Sequence, residues 1–189
     1  RHIGFLMILM QRLVTSSTAA SRTWLENRQA LLNEPQPQAS LFDSTEMDEW
    51  AELDGQTQVD IAVQTSGWAQ EKAEVDLLLT LARETEAQGT DAKAEALLEL
   101  IYKLQQEEND PTMKVLIFTE FVPTQAMLAG FLESRGFSVA LLNGSMDLDT
   151  RTKAQQAFSQ DVRVLVSTDA GGEGLNLQFC HVIVNFDMP

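Results

Sequence analysis

The 189-residue sequence has few basic residues, one cysteine and two histidines, and each shortage excludes a class of protein. Its 13 Lys and Arg residues stand against 28 Asp and Glu, so the net charge of -15 argues against a freestanding basic nucleic-acid binder. Contacts to DNA through hydroxyls and backbone amides remain open. Cys180 cannot form an internal disulfide, which fits a reducing compartment, and we favour the cytoplasm, with the nucleus as the other compartment that fits.

Long apolar runs and metal-ligand patterns are also missing. The apolar run at residues 3–10 is too short to span a bilayer, and no small-residue cleavage site follows it, so we expect no membrane role. His2 and His181 are far apart in the sequence, and with a single cysteine they make no metal-ligand spacing, so we expect no metal site. The chain opens on Arg1 and stops at Pro189 just after an apolar run, so we expect a piece of a longer protein.

Residues 1–113 are predicted to form a helical and acidic N-terminal extension. Apolar residues recur at helical spacing in four segments, at residues 3–14, 24–32, 75–82 and 97–104. Residues 34–67 are instead rich in Pro, Gln, Asp and Glu, which predicts a mobile linker or insertion with room for one short helix near Trp50. Most of the acidity lies in this part of the chain, which carries 8 basic and 20 acidic residues.

Residues 114–189 are predicted to form an α/β domain with a parallel sheet. Short apolar runs rich in β-branched residues, typical of strands buried on both faces, lie at residues 115–118, 139–142, 162–166 and 182–184. Segments of helical length separate them at residues 124–135 and 149–159. This alternation predicts parallel strands joined by right-handed crossovers, and ligands of such sheets gather at the carboxyl ends of the strands.

Polar residues with ligand-binding chemistry follow three of these strands. Thr119 comes after the first, and Gly144 with Ser145 after the second. After the third, the string STDAGGEGLNLQ at residues 167–178 has three glycines in four residues, so its backbone can approach a ligand closely and direct N–H groups at phosphate oxygens. The side chains of Ser167 and Thr168 add hydroxyl donors at the strand end.

The string at residues 167–178 resembles the fifth motif of superfamily-two helicases, in the form found in Swi/Snf-type, HepA-like ATPases. KVLIFTEF at residues 114–121 is similar to the fourth motif, LNGS at residues 142–145 to the LDGS block, and VIVNFDMP at residues 182–189 to the VINYDLP strand. Asn143 stands where Asp is usual in that block. The resemblance implies a RecA-like helicase C-terminal lobe, incomplete because the arginine-bearing sixth motif would follow Pro189.

The resemblance also implies roles for individual residues. Five residues would face the phosphate backbone of the tracked DNA strand without reading its sequence: Thr119, Gly144, Ser145, Ser167 and Thr168. Four residues would lie toward the cleft that holds ATP between this lobe and the N-terminal RecA-like lobe of the same polypeptide: Gly172, Glu173, Gly174 and Asn176. Arg151 would tie its helix to the lobe.

The function implied is that of the second motor lobe of an ATP-dependent double-stranded DNA translocase or remodeller, with ATP and Mg²⁺ as cofactors of the intact protein. No Gly precedes any lysine and no DEAH-like box is present, so we assign no catalytic residue and no Mg²⁺ ligand to this chain. One alternative is the lobe of a strand-separating DNA or RNA helicase. The other is a non-catalytic module that docks on RNA polymerase or another protein through the acidic front half.

We predict that the purified chain hydrolyses no ATP, with or without DNA, because the phosphate loop and the Mg²⁺ ligands would belong to the first lobe. A phosphate-release assay on the pure chain measures this, with a complete two-lobed ATPase as the positive control. DNA-stimulated release of phosphate from the pure chain would contradict the prediction.

Overall fold

The computed structural model describes residues 2–33, 55–63, 71–168 and 178–187. The chain divides into two compact units, Arg1–Gly89 and Thr90–Pro189. Across the described ranges, no helix is both long and apolar enough to cross a membrane.

The first unit is helical, as the spacing of its apolar residues predicts. Its described helices are α1 (His2–Ser16), α2 (Thr18–Asn33), α3 (Gly55–Val63) and α4 (Glu71–Ala87). Each of these helices has a buried apolar stripe. The buried side chains are Leu9 and Leu13 of α1, Trp24 and Leu25 of α2, Val59 of α3, and Val75 and Leu79 of α4. Burial of these stripes against one another holds the helices together.

Charged side chains pair α2 with α4 in antiparallel order. The buried guanidinium of Arg28 donates to both carboxylate oxygens of Glu71, with N–O distances of 2.6 and 2.9 Å. Arg22, six residues earlier on α2, pairs at 2.6 Å with Glu86, which lies near the far end of α4. The two-pronged carboxylate partner compensates the guanidinium of Arg28 for its burial.

The predicted linker at residues 34–67 contains a packed helix. Within α3, Gln58 and Val59 are buried, and Arg12 of α1 donates a hydrogen bond to the side-chain oxygen of Gln58. A helix of nine residues has little stability of its own and depends on tertiary packing, which composition does not reveal. The remainder of the predicted linker, residues 34–54 and 64–67, lies outside the described residues.

The second unit is an α/β domain, and the predicted parallel sheet is confirmed. In its described part the strands are β1 (Val115–Thr119), β2 (Val139–Leu142), β3 (Val164–Thr168) and β4 (Val182–Asn185), all parallel and in the order β2-β3-β1-β4. The described helices are α5 (Ala92–Glu107), α6 (Val122–Glu133) and α7 (Leu148–Gln160). The third strand starts two residues later than its apolar run predicts, because Val162 packs against the core from the turn before it.

Helices cover both faces of this sheet. Alternate residues of each strand point to opposite faces, so Val115 and Ile117 pack with α5 and α6, whereas Leu116 and Leu165 pack with Phe158 of α7. All five side chains are nearly or fully buried. Burial on both faces explains why the strands appear in the sequence as unbroken apolar runs.

Helix α5 belongs to the sheet domain. The apolar runs predict a lobe that starts at residue 114, whereas Leu97 and Ile101 of α5 share one core with Ile117 and Leu128. The helix begins at a well-formed cap, because the carboxylate of Asp91 accepts hydrogen bonds from two backbone amides of its first turn, at 2.9 and 3.1 Å. An amphipathic stripe looks the same in sequence whether it packs on helices or on a sheet, so helical periodicity alone could not assign α5 to the lobe.

The side chain of Lys114 closes the amino edge of the sheet. Its ammonium donates to the backbone oxygens of Phe158, Gln160 and Val162, at 2.6, 3.1 and 2.8 Å. The last carbonyls of a helix have no partner within it, and α7 has no basic residue in its last turn. Lys114 therefore fastens the start of β1 to the end of α7.

We predict that Lys114→Met lowers the free energy of opening of this domain by about 1 to 3 kcal/mol, because three carbonyl oxygens lose a charged donor. Amide hydrogen exchange of β1 and β3 measures that free energy. The control is Lys153→Met on the exposed side of α7, which we expect to change it by less than about 0.5 kcal/mol. Equal effects of the two substitutions would show that the three bonds contribute nothing.

Candidate functional site

The predicted DNA-contacting residues lie at the carboxyl edge of the sheet, and the strand register decides which of them are neighbours. Thr119 at the end of β1 is the pairing partner of Thr168 at the end of β3, and both side chains are buried. Leu142 of β2 pairs with Ser167, so the turn of Gly144 and Ser145 starts on the other side of β3. Three successive strand ends therefore meet at one edge.

Ser167 is separated from this group by the alternation of side chains along β3. It points to the same face of the sheet as Leu165, away from the face of Thr168, and it is fully buried. Its hydroxyl donates to the backbone oxygen of Thr168 at 3.0 Å. The structure therefore brings Thr119 and Thr168 together but directs Ser167 into the core.

Asp187 holds the end of β1 in place. One of its carboxylate oxygens, Oδ2, accepts hydrogen bonds from the Thr119 hydroxyl and from the backbone amide of Glu120, both at 2.6 Å. The other oxygen lies 3.5 Å from the ammonium of Lys93 on α5, which is 4.2 Å from the centre of the Phe186 ring. The Thr119 hydroxyl has one proton, so Thr119 must give up Asp187 before it can donate to a phosphate.

Among the described residues of this edge, those of the turn after β2 are exposed. Both Gly144 and Ser145 are exposed, and the backbone amide and the hydroxyl of Ser145 donate to Oδ1 of Asn143, at 3.2 and 2.7 Å. The other side-chain atom of Asn143, Nδ2, donates to Oε1 of the buried Gln125 at 3.0 Å. The turn is thus anchored to the interior of the domain through two amide side chains.

The N-terminus of α7 follows this turn, and the carboxylate of Asp147 caps it. The carboxylate of Asp147 accepts hydrogen bonds from the backbone amide and the hydroxyl of Thr150, at 2.8 and 3.0 Å. These bonds, the backbone one first, lower the pKa of Asp147 below its ordinary value, so it stays ionised at neutral pH. A phosphate would therefore meet the exposed turn of Gly144 and Ser145 and not the helix terminus.

The described residues offer neither a metal-binding cluster nor an ionised thiol. Within the part of the chain that the structure describes, no group of three His, Cys, Asp or Glu side chains could hold a metal ion. Cys180 is buried, and burial raises the pKa of its thiol, which therefore stays protonated near neutral pH. Its sulfur lies 3.4 Å from the backbone oxygens of Lys114 and Val182, consistent with a packed core residue.

The residues predicted to line the ATP cleft fall in the part of the chain that the structure does not describe. Gly172, Glu173, Gly174 and Asn176 all lie between the end of β3 and residue 178, outside the described ranges. Their contacts with ATP stay predictions.

Two residues of the edge received no role from the sequence. Asp187 stands within the quoted VIVNFDMP segment, directly after a strand, where acidic side chains commonly orient loops. Gln125 is a polar residue on the same helical stripe as Leu128 and Leu132, and a polar side chain on a core-facing stripe requires buried hydrogen-bond partners. The polar residue within an apolar stripe was therefore the sequence signal that could have identified Gln125 as a buried hydrogen-bonding residue.

The parallel sheet, its covering helices and the polar carboxyl edge define a RecA-like helicase lobe. The profile of the helicase conserved C-terminal domain matches residues 92–189, which is just over half of the chain. The chain belongs to this family, which supplies the C-terminal lobe of superfamily-two helicases.

Three curated relatives illustrate the range of the family. An uncharacterized ATP-dependent helicase, YqhH of Bacillus subtilis (strain 168), is 36% identical over 99 residues, which cover 52% of this chain and 16% of the relative. Protein CHROMATIN REMODELING 5 of Arabidopsis thaliana is 36% identical over 94 residues, which cover 48% of this chain and 6% of the relative. The ATP-dependent rRNA helicase RRP3 of Encephalitozoon cuniculi is 31% identical over 98 residues, which cover 51% of this chain and 23% of the relative. The chain thus spans less than a quarter of each of these relatives.

We predict that Thr119→Val and Asp187→Ala are energetically coupled. Thr119→Val should cost about 1 kcal/mol of opening free energy, and Asp187→Ala more than that, because it leaves two donors without this acceptor. The double variant should be less destabilised than the sum of the two by about 1 kcal/mol. Amide exchange of β1 in the three variants measures the coupling, and strictly additive effects would contradict the hydrogen bond.

Proposed function

We propose that this chain is the second motor lobe of an ATP-dependent double-stranded DNA translocase or remodeller of the Swi/Snf type, acting in the cytoplasm. In this proposal the lobe contacts the DNA backbone with its strand ends and forms one wall of the ATP cleft with residues 172–176. The first RecA-like lobe of the same polypeptide supplies the phosphate loop and the Mg²⁺ ligands, which the 189 residues do not contain.

The observation that supports the proposal best is the meeting of uncharged hydrogen-bonding groups at one sheet edge. Thr119 and Thr168 are pairing partners at adjacent strand ends, and the exposed turn of Gly144 and Ser145 follows the next strand. Hydroxyls and backbone amides bind phosphate oxygens without reading bases, which suits a motor that moves over any sequence. The acidic character of the chain fits such contacts, because they do not depend on clustered basic residues.

The proposed DNA and ATP groups belong to one continuous segment, which suggests how the two activities are coupled. Thr168 ends β3, and Asn176 lies eight positions later in the same glycine-rich string. Closure of the first lobe on the string would displace its start as well as its end. At the neighbouring strand, Thr119 would exchange its bond to Asp187 for one to a phosphate when DNA is engaged.

The choice between DNA and RNA rests on the glycine-rich string. Its Gly-Gly-Glu-Gly-Leu-Asn-Leu-Gln sequence lacks the Ala-Arg-Gly usual in DEAD-box proteins, and a relative named for chromatin remodelling is 36% identical. The second candidate function is the lobe of a strand-separating RNA helicase, which the 31% identity to an rRNA helicase favours. A docking module for RNA polymerase or another protein is the third, and the retained hydroxyls and glycines at the strand ends argue against it.

We predict that duplex DNA stimulates the ATPase activity of the full-length protein more than RNA does. Thr168→Ala should raise the DNA concentration for half-maximal stimulation about fivefold, because a phosphate hydrogen bond contributes about 1 kcal/mol, while the KM for ATP stays near normal. Asn176→Ala should lower kcat at saturating DNA through poorer closure on the nucleotide. Titrations of the ATPase rate against DNA and against ATP measure the two effects separately.

The matched control for Thr168→Ala is Ser159→Ala, which removes an exposed hydroxyl at the far end of α7. It should change neither titration. Stronger stimulation by RNA would favour the RNA helicase, and no stimulation by either nucleic acid would favour the docking module. A DNA dependence that Thr168→Ala leaves untouched would remove Thr168 from the proposed interface.

A further inference from the structure

The orientation of the buried Gln125 side chain is fixed by two backbone carbonyls. Its amide nitrogen, Nε2, donates to the backbone oxygens of Leu142 in β2 at 2.9 Å and of Val166 in β3 at 2.8 Å. The side chain is 1% exposed, so water does not offer an alternative partner. A reversed amide would set Oε1 against both carbonyl oxygens, which are also acceptors, so the orientation is determined by the hydrogen bonds themselves.

Because Nε2 faces the strands, Oε1 of Gln125 faces residue 143 and requires a donor there. Asn143 supplies it, with Nδ2 of its amide 3.0 Å from Oε1. The same bond fixes the Asn143 amide, so that its oxygen points into the turn and accepts from the backbone amide and the hydroxyl of Ser145. A continuous chain of hydrogen bonds therefore links the carbonyls of the two strands, through Gln125 and Asn143, to Ser145.

We propose that Gln125 and Asn143 are positioning residues that set the backbone amide and hydroxyl of Ser145 at the carboxyl edge. Residue 143 must present a donor to Gln125 and an acceptor to Ser145 at the same time. An ionised aspartate presents acceptors on both sides and would oppose Oε1 of Gln125. Asparagine, which has an N–H group on one side and an oxygen on the other, meets both requirements. That the positioned groups bind phosphate rests on the proposed function.

The alternative is that Asn143 only caps its own turn, and the two interpretations predict different effects of substitution. If Asn143 only capped its own turn, Asp would serve equally well, because both side chains accept from the amide two residues later. The two interpretations therefore diverge at Asn143→Asp. Asn109→Asp is the matched control, since Asn109 is exposed, lies after α5 and has a φ of 51°, a conformation that Asp also tolerates.

The first measurement uses the 189-residue chain without DNA, first as the wild type and then with the two substitutions. In ¹⁵N–¹H spectra, the side-chain amide protons of Gln125 and Asn143 should exchange with water at least about tenfold more slowly than an exposed amide such as that of Gln156. Asn143→Asp should abolish the slow exchange at Gln125 and shift the Ser145 amide resonance. Asn109→Asp should leave both signals as they are in the wild type.

The second measurement tests the phosphate contact in the full-length protein. Asn143→Ala, which adds no charge, should raise the DNA concentration for half-maximal ATPase stimulation about threefold or more, because the loss of order in the turn outweighs the removal of an acceptor that competes with phosphate for Ser145. The kcat should stay within about twofold of the wild type. Asn143→Asp should raise that concentration at least as much, and Asn109→Asp should leave it within about twofold. A loss of folding stability alone would lower kcat in proportion to the active fraction without this shift.

Two results would overturn the inference. One is wild-type exchange at Gln125 and an unshifted Ser145 amide in Asn143→Asp, which would reduce Asn143 to a turn cap. The other is an unchanged half-saturation in Asn143→Ala when DNA stimulates the wild type. If DNA does not stimulate the wild-type protein at all, the proposed function fails instead, and the exchange measurements alone decide whether Gln125 and Asn143 position Ser145.

Discussion

The parallel pairing of β1 with β3 is the constraint on which the candidate site depends. It aligns Val115 with Val164 at one end and, four residues on, Thr119 with Thr168 at the other. The register cannot slip by one residue, because a slip would turn the apolar side chains packed under α5 and α6 toward α7 and place Ser167 where Thr168 lies. Burial of the sheet on both faces thus fixes which polar residues become neighbours at its edge.

Two of the residues that would bind DNA in the proposed interface, Thr119 and Ser145, already have partners within the domain. Thr119 donates to Asp187, and Ser145 donates to Asn143, which is in turn held by Gln125. Buried polar groups need such partners, and the bonds keep the strand ends ordered without a ligand. In the proposed interface a phosphate would replace an internal acceptor, so each contact would contribute only the difference between two hydrogen bonds. Several weak exchanges of this kind would let a motor release one phosphate as it engages the next.

The amino and carboxyl edges of the sheet carry different groups. At the amino edge, Lys114 satisfies three carbonyl oxygens at the end of α7, and the guanidinium of Arg163 lies 4.7 Å from the centre of the Phe137 ring. These cations have internal partners and stabilise the domain. At the carboxyl edge, the turn of Gly144 and Ser145 is exposed. The carboxyl edge therefore combines internal hydrogen bonds that stabilise the domain, such as that from Thr119 to Asp187, with the turn proposed to bind a ligand.

Local pattern in the sequence determined the helices, the buried strands and the family, because apolar spacing and a contiguous motif are read within a few residues. The same pattern predicted which residues end the strands, and hence that Thr119, Ser145 and Thr168 lie at one edge. Tertiary structure alone decided that α3 packs against its neighbours and that Ser167 turns inward. It also paired Thr119 with Asp187, 68 positions away in the chain. Such partners are chosen by how helices and strands pack, and contacts between distant residues leave no periodic trace in a single sequence.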